Sequence, residues 1–409
     1  MGATASATRS SIPKFCARKL AAVEPSSVNP SSPFVGLPAA LVEEVLNRTT
    51  HVAQGLLGSF SRAKEQRTEL RRQLCEAKLL WHRSELGPAP FPTVCATDGS
   101  YAIERLLTTD LVAAAAVAVE GLTPPSETRY WAQPHHHVYV QAEPHHEATA
   151  TILRAMMLGQ ELQLARCAPH DLVLLDGTLT LPIIYFNQAL NAAPRAPQLH
   201  TGQTFLAGAE QYLHAYRELL TLTRNDKQIV AMPKYSTRRE IGQLLGWPDQ
   251  QDDRGLLSAV LHPGELTRPL PLQAPEQPWH FSTAALPQPL RGAIDRLAQD
   301  VTAALNRVHV FYYKPQTWLP ALRIEVAESV ARSRERMAIV VQGLDMQCAT
   351  PAMLEPYPNF LADRMVKALA KALPAFRQVA THHIAERFEG DVEEVFFAMH
   401  GYRSDSGRK

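Results

Sequence analysis

Apolar positions recur at nearly helical spacing from Leu37 to Trp81, through Leu41, Val45, Leu46, Val52, Leu56, Leu57, Phe60, Leu70, Leu74 and Leu79. That pattern predicts one long helix or two, forming a helical N-terminal region over 36–88. The three prolines of Gly87–Pro92 end it. A β-prone run, Thr93–Thr97, follows and is expected to stop at Asp98-Gly99-Ser100; Asp110–Glu120 is apolar and His137–Ala142 alternates around Val138 and Val140. Three strands in series predict an antiparallel meander. The pattern then alternates: a helix over Thr149–Arg166, a buried strand over Leu172–Leu175, a helix over Glu210–Leu222 and a strand over Gln228–Met232. Residues 250–289 are rich in Pro, Gln and Asp and read as an insertion or long loop. Regular structure resumes with a helix over Arg291–Asn306, strands over Val308–Lys314 and Ala321–Val326, and helices from about Asn359 to Leu373 and His383 to Met399. The expected fold class is α/β, a mixed sheet flanked by helices as in ribonuclease H-like folds, spanning 89–400.

Both ends differ in composition. Residues 1–35 are rich in Ser, Ala, Thr and Pro, without apolar periodicity, and read as a disordered arm; 401–409 read as a polar tail. Met1-Gly2 with Ser6 matches a minimal acylation pattern, and the lack of acids before Glu24 faintly resembles a transit peptide. Both patterns are short and common, and an untargeted cytoplasmic arm is the plainer expectation. The 409 residues contain no internal repeat and no apolar run of membrane-spanning length. Five cysteines without C-x-x-C spacing suggest neither a disulfide framework nor a zinc ribbon, which suits a reducing compartment.

Net charge is +1, so any polyanion must be met locally. The one basic concentration lies between Arg62 and Arg83, including Arg71 and Arg72, where a solvated helix face and a phosphate contact are both open readings. No G-x-x-x-x-G-K-[ST], G-x-G-x-x-G or G-x-S-x-G occurs, which lowers ATP hydrolysis, dinucleotide chemistry and serine hydrolysis. The histidine runs His135-His136-His137 and His145-His146 fall largely in connections, with no second ligand at fixed offset, and argue weakly for zinc.

Two apolar runs end alike. Asp98-Gly99-Ser100 follows the first core strand and Asp176-Gly177-Thr178 follows Leu172–Leu175. If those strands are neighbours, two carboxylates meet, and paired carboxylates repel unless a hard divalent cation sits between them. Mg²⁺ or Mn²⁺ so held activates water and stabilises the leaving oxygen in phosphodiester hydrolysis. Glu161, embedded in the uncharged stretch Ala155–Leu162, is the favoured third acid, with Glu147 as the competing choice.

Taken in order, Asp98-Gly99-Ser100, Leu174–Leu179, Val230–Lys234, Phe311–Lys314, Pro356-Tyr357-Pro358 and Ala362-Asp363-Arg364 resemble the NurA nuclease family over about 90–250 and 300–370. The resemblance implies a ribonuclease H-like fold (RNase H-like), a ring-shaped homodimer and manganese-dependent cleavage of DNA. It also implies a hexameric ATPase partner, HerA, in DNA end processing for repair. By position it carries Asp98, Asp176 and Glu161 over as metal-binding acids and Lys234 as a phosphate-neutralising cation. Tyr357 matches the family's Tyr-Pro motif. Many members have a His near where this chain has Asp363, which is the expected fourth metal-binding acid. The alternative from another class is a catalytically weak clamp that threads DNA and docks on the ATPase without cutting.

Overall fold

A computed structural model describes residues 36–249, 251–401 and 403–405, so the expected arm at 1–35, the acylation and transit patterns within it, and the last four residues lie outside the described residues. Two compact units divide the chain, the first ending at Arg62 and the second running from Ala63. Helix α1, Ala39–Glu76, bears out the long-helix reading. In the first unit its apolar side chains, Leu41, Val45, Leu46, Val52, Leu56 and Leu57 among them, are exposed; in the second, Leu70 and Leu74 are buried. The end of the expected helical region is not helical: β1, Leu80–His82, joins the sheet, and a short 3₁₀ turn follows over Arg83–Leu86.

Strands β2 (Val94–Arg105), β3 (Asp110–Glu120) and β4 (His135–Glu143) form the expected meander. Helix α2, Thr149–Cys167, leads to β5, Leu172–Asp176. Then come α3 (Leu181–Ala192), α4 (His200–Thr221) and β6 (Gln228–Met232). The 250–290 segment is more ordered than the loop its composition suggests. Flanked by α5 (Glu240–Leu245), it contains α6 (Asp253–Val260), β7 (Glu265–Thr267) and β8 (Leu270–Pro271), and β7 lies in the sheet between β1 and β9. Tertiary burial overrides composition here, because Leu256, Leu257, Val260 and Leu266 are all in the core. Asp253 also accepts the Ile241 and Gly242 N–H groups at 2.7 and 2.8 Å, tying α6 to α5.

The chain closes with α7 (Leu290–Leu305), β9 (His309–Tyr313), β10 (Leu322–Val326), α8 (Glu328–Ala331) and α9 (Arg334–Gln347). Last come α10 (Tyr357–Ala385), α11 (Val392–Ala398) and β11 (Arg403–Asp405). Helix α10 continues through Pro374 where the sequence pattern suggested a break. The expected polar tail supplies β11, which pairs antiparallel with β2.

The strand order β1-β7-β9-β10-β6-β5-β2-β3-β4 places a parallel centre, β2, β5 and β6, between antiparallel wings. Side chains alternate across β2. Ala102 packs with Leu373 of α10, while Ile103 packs with Leu153 of α2, so the two helices cover opposite faces. The alanine run of β3 keeps both faces flat enough for that; Ala113, Ala114 and Ala116 are fully buried. Among the described residues no helix is long and apolar enough to cross a membrane.

Candidate metal centre

Register creates the site. Strands β2 and β5 run parallel with Thr97 opposite Leu175, so Asp98 and Asp176, one step further along, are neighbours on adjoining strands. Asp98 is not the strand end its Asp-Gly context suggested. Strand β2 continues through Gly99 and Ser100 to Arg105, paired along its length with β3, and the sheet ladder overrides the local turn signal. Gly99 has a different purpose. A Cβ there would lie 2.6 Å from Met157 Cγ, so the bare glycine lets α2 lie directly on β2 beside Asp98. Asp176 does end its strand, and the chain turns away through Gly177 at φ +101°, a left-handed conformation that glycine adopts without strain.

A third acid comes from α10. Carboxylate oxygens of Asp98, Asp176 and Asp363 all lie within 4.8 Å of one another, the one such group of potential metal ligands among the described residues. The histidine runs form no comparable cluster; His135 stacks on Trp131 at 4.4 Å and His145 meets Asp110 at 2.8 Å. Lys234, two residues past β6, reaches into the acids. Its Nζ is 2.9 Å from Asp176, 3.0 Å from Glu355 and 3.6 Å from Asp363. Burial alone would lower the Lys234 ammonium, but Asp176 and then Glu355 raise it above the ordinary lysine value.

Glu161 is buried on α2 and lies outside the three-aspartate group, although its electrostatics are tied to it. Burial, then Asp98, then Asp176 raise its carboxyl well above the usual range. Glu147 is exposed just before α2. The 12 steps from Thr149 to Glu161 span roughly 18 Å of helix at about 1.5 Å each, which sets the two glutamates far apart. Burial followed by the charge of Asp176 pushes Asp98 up to about 7, against the pull of the Gly99 N–H, which donates to it at 2.8 Å, and of Lys234. Such a carboxyl binds a proton when no cation is near, and three hard oxygen donors around one point suit Mg²⁺ or Mn²⁺. Tyr357 is half-buried as the first residue of α10. Six helical residues separate it from Asp363, so their side chains diverge by about 120° and share no helix face.

The sequence reading did not single out Glu355 or Glu325. Glu355 stands two residues before Tyr357, inside the stretch that carried the resemblance, and contacts Lys234. Glu325 of β10 accepts the Thr178 hydroxyl at 2.6 Å and the Leu179 N–H at 2.9 Å, fixing the turn after Asp176. Behind it, fully buried Arg323 makes a two-pronged contact to Glu240 at 2.7 and 2.8 Å and donates to Glu325 at 3.1 Å. Their only sequence trace is two charges, Arg323 and Glu325, inside an otherwise apolar strand. A cavity of about 240 Å³ opens beside the acids, lined by Lys234, Tyr235, Arg254, Leu354 and Glu355 among others. Of the basic run on α1, Arg71 pairs with Glu265 at 2.5 Å and Arg72, on an exposed face, with Glu69 at 2.6 Å.

The NurA domain family profile matches residues 92–368, more than half of the chain. No curated protein matches at a significant level. Among solved structures, the NurA nuclease from Sulfolobus solfataricus is 12% identical, with a TM-score of 0.53 over 86% of this chain and 99% of that one. That likeness establishes the fold. A structure of NurA with manganese aligns at 15% identity and a TM-score of 0.48, over 84% and 99%. One of NurA bound to dAMP and manganese aligns at 13% and 0.46, over 78% and 93%.

Proposed function

Because the chain belongs to the NurA family of nucleases, we propose that it is a metal-dependent deoxyribonuclease whose centre is Asp98, Asp176 and Asp363. The observation that carries this reading is the meeting of three carboxylates from β2, β5 and α10 within 4.8 Å. They would hold Mn²⁺ or Mg²⁺, with Glu161 behind them. When bound, such an ion supplies Lewis acidity at a phosphoryl oxygen and lowers the pKa of water to a useful range.

The chain's own groups do the rest. Asp98, held up to about 7 without a cation, would give up its proton as it takes one, so metal binding is expected to release a proton near neutrality. Lys234 sits among the acids as a fixed positive charge, suited to a phosphate oxygen as negative charge builds on it. The Glu325 contacts to Thr178 and Leu179 hold the turn that aims Asp176. Tyr357 at the head of α10 is assigned to substrate contact through its position in the Tyr-Pro motif.

The finer reading follows the same resemblance: a cytoplasmic homodimer that cuts DNA ends with a HerA-type hexameric ATPase, in repair or in defence against invading DNA. Incubation of the purified protein with linear DNA and Mn²⁺ tests the activity. Degradation that disappears in Asp98→Ala and Asp176→Ala at unchanged melting temperature is expected. Full activity in either variant removes the mechanism.

A further inference from the structure

Arg154 on α2 is held between two aromatic rings. Its guanidinium donates to the Tyr185 hydroxyl at 2.6 Å and the Tyr101 hydroxyl at 2.7 Å, and its carbon lies 4.6 and 5.3 Å from the two ring centroids. All three side chains are half-buried. Among the described residues no carboxylate forms an ion pair with Arg154, which sets it apart from Arg71, Arg72, Arg83 and Arg323. A partly buried guanidinium without a counter-charge is a costly arrangement unless an anion completes it.

The donor inventory narrows what that anion is. Arg154 has five N–H donors and the two tyrosines accept one each, which leaves three. Both phenol oxygens are occupied as acceptors by the arginine, so their own O–H groups are free to donate outward. The cluster therefore offers donors almost exclusively, the complement of an acceptor-only phosphate.

Its position relates it to the acids. Arg154 lies seven residues before Glu161, on the same helix face and roughly 10 Å away along the axis. Tyr101 lies three residues beyond Asp98, roughly 10 Å along the strand, and turns to the α2 face with Ile103 while Asp98 turns toward α10, past the end of β5. Between them Met157 packs over Gly99, so the helix stripe and the strand run alongside each other. Successive phosphates wind about the duplex and so lie further apart than the axial rise of about 3.4 Å per nucleotide, which keeps the separation to a few phosphates.

We propose that Arg154, flanked by Tyr101 and Tyr185, grips a backbone phosphate of the nucleic acid strand a few nucleotides from the bond that is cut. This rests on the nuclease reading above, and its test is separable from it. Binding of a fluorescent 20-nucleotide DNA is followed by anisotropy in EDTA over a salt series, with no metal and no cleavage. Arg154→Gln is expected to weaken binding about tenfold and to reduce the salt slope by about one phosphate contact. Arg154→Lys keeps the charge and loses the fork; it should keep the slope and lose several-fold in affinity. Tyr101→Phe with Tyr185→Phe should cost a few-fold without changing the slope.

With Mn²⁺, Arg154→Gln should raise KM on the 20-mer and leave a dinucleotide substrate unaffected, because that substrate does not reach the clamp. Wild-type affinity and slope in a folded Arg154→Gln, or in Arg154→Lys and the tyrosine pair together should Arg154→Gln not fold, overturn the proposal. So does displacement of the DNA by millimolar inorganic phosphate to the same extent in wild type and Arg154→Gln. A wild-type protein that binds DNA but never cuts it fails the nuclease reading instead.

Discussion

Asp98 and Asp176 stand side by side because β2 and β5 are parallel and in register at Thr97 and Leu175, which carries the next residue of each strand to the same level. Asp363 of α10 brings its carboxylate to the same point. Three acids there are answered by one partly buried lysine, with exposed Lys367 pairing with Asp363 alone at 2.7 Å, and the balance of charge is the property most open to measurement.

Lys234 is that lysine, 2.9 Å from Asp176 and 3.0 Å from Glu355. Replacing it with Met should lower the melting temperature of the metal-free protein, since Asp176 then faces Asp98 and Glu355 without a cation, and adding Mn²⁺ should recover most of the loss. Cleavage should fall by about 10²-fold, the usual cost of one electrostatic stabiliser of a transition state. Thermal scans with and without Mn²⁺, beside kcat/KM, check this. A metal-free melting temperature equal to wild type would show that the acids do not need the lysine.

The acid cluster also has a pH signature. Asp98 is raised to about 7 and Glu161 is raised as well. A raised carboxyl binds more protons folded than unfolded, so its stabilising contribution is complete below the unfolded value near 4 and is lost as pH climbs through the folded value. Metal-free protein should therefore lose stability between about pH 4 and 7. Asp98→Asn should flatten that loss. Equal slopes in variant and wild type would place the titration elsewhere.

Buried Arg323 gives the largest expected stability effect. Arg323→Met leaves Glu240 and Glu325 without their cation and should cost about 3–5 kcal/mol by urea denaturation. A cost below about 1 kcal/mol would mean that the pair is no more than a surface-like contact.

Gly99→Ala tests the closeness of α2 to β2. The added methyl meets Met157 Cγ at 2.6 Å, and overpacking of this kind costs roughly 1–3 kcal/mol. Pairing it with Met157→Ala should recover part of the melting temperature, because the clash is with that side chain and the backbone angle is not left-handed. No recovery in the double variant would point to the Ala115 carbonyl, 3.4 Å away, as the obstacle.

Much of this was legible along the chain, for identifiable reasons. Strand β6 was readable to the residue, and β5 nearly so, because fully buried strands leave uninterrupted apolar runs. Asp176 stood out for the same reason, as a charge at the end of such a run. Asp98 was found through a misleading signal: its Asp-Gly pair marks a turn locally, yet the ladder with β3 carries the strand through it. Helix α9, which the pattern did not reveal, is buried on more than one side and so lacks a clean polar face; helix α3 buries one stripe, but exposed Ile184 on its other side blurs the period. Glu325 and Arg323 became meaningful only when β10 was seen beside β6 and near Thr178. A contact spanning 147 residues leaves no periodic trace.

The central claim is that Asp98, Asp176 and Asp363 jointly bind one divalent ion or a close pair, and calorimetric titration of metal-free protein with Mn²⁺ at pH 8 tests it most directly. Saturable binding in the wild type, weakened at least tenfold in Asp98→Asn and again in Asp176→Asn while both variants stay folded, is the predicted result. Binding of equal strength in wild type and both variants would contradict it.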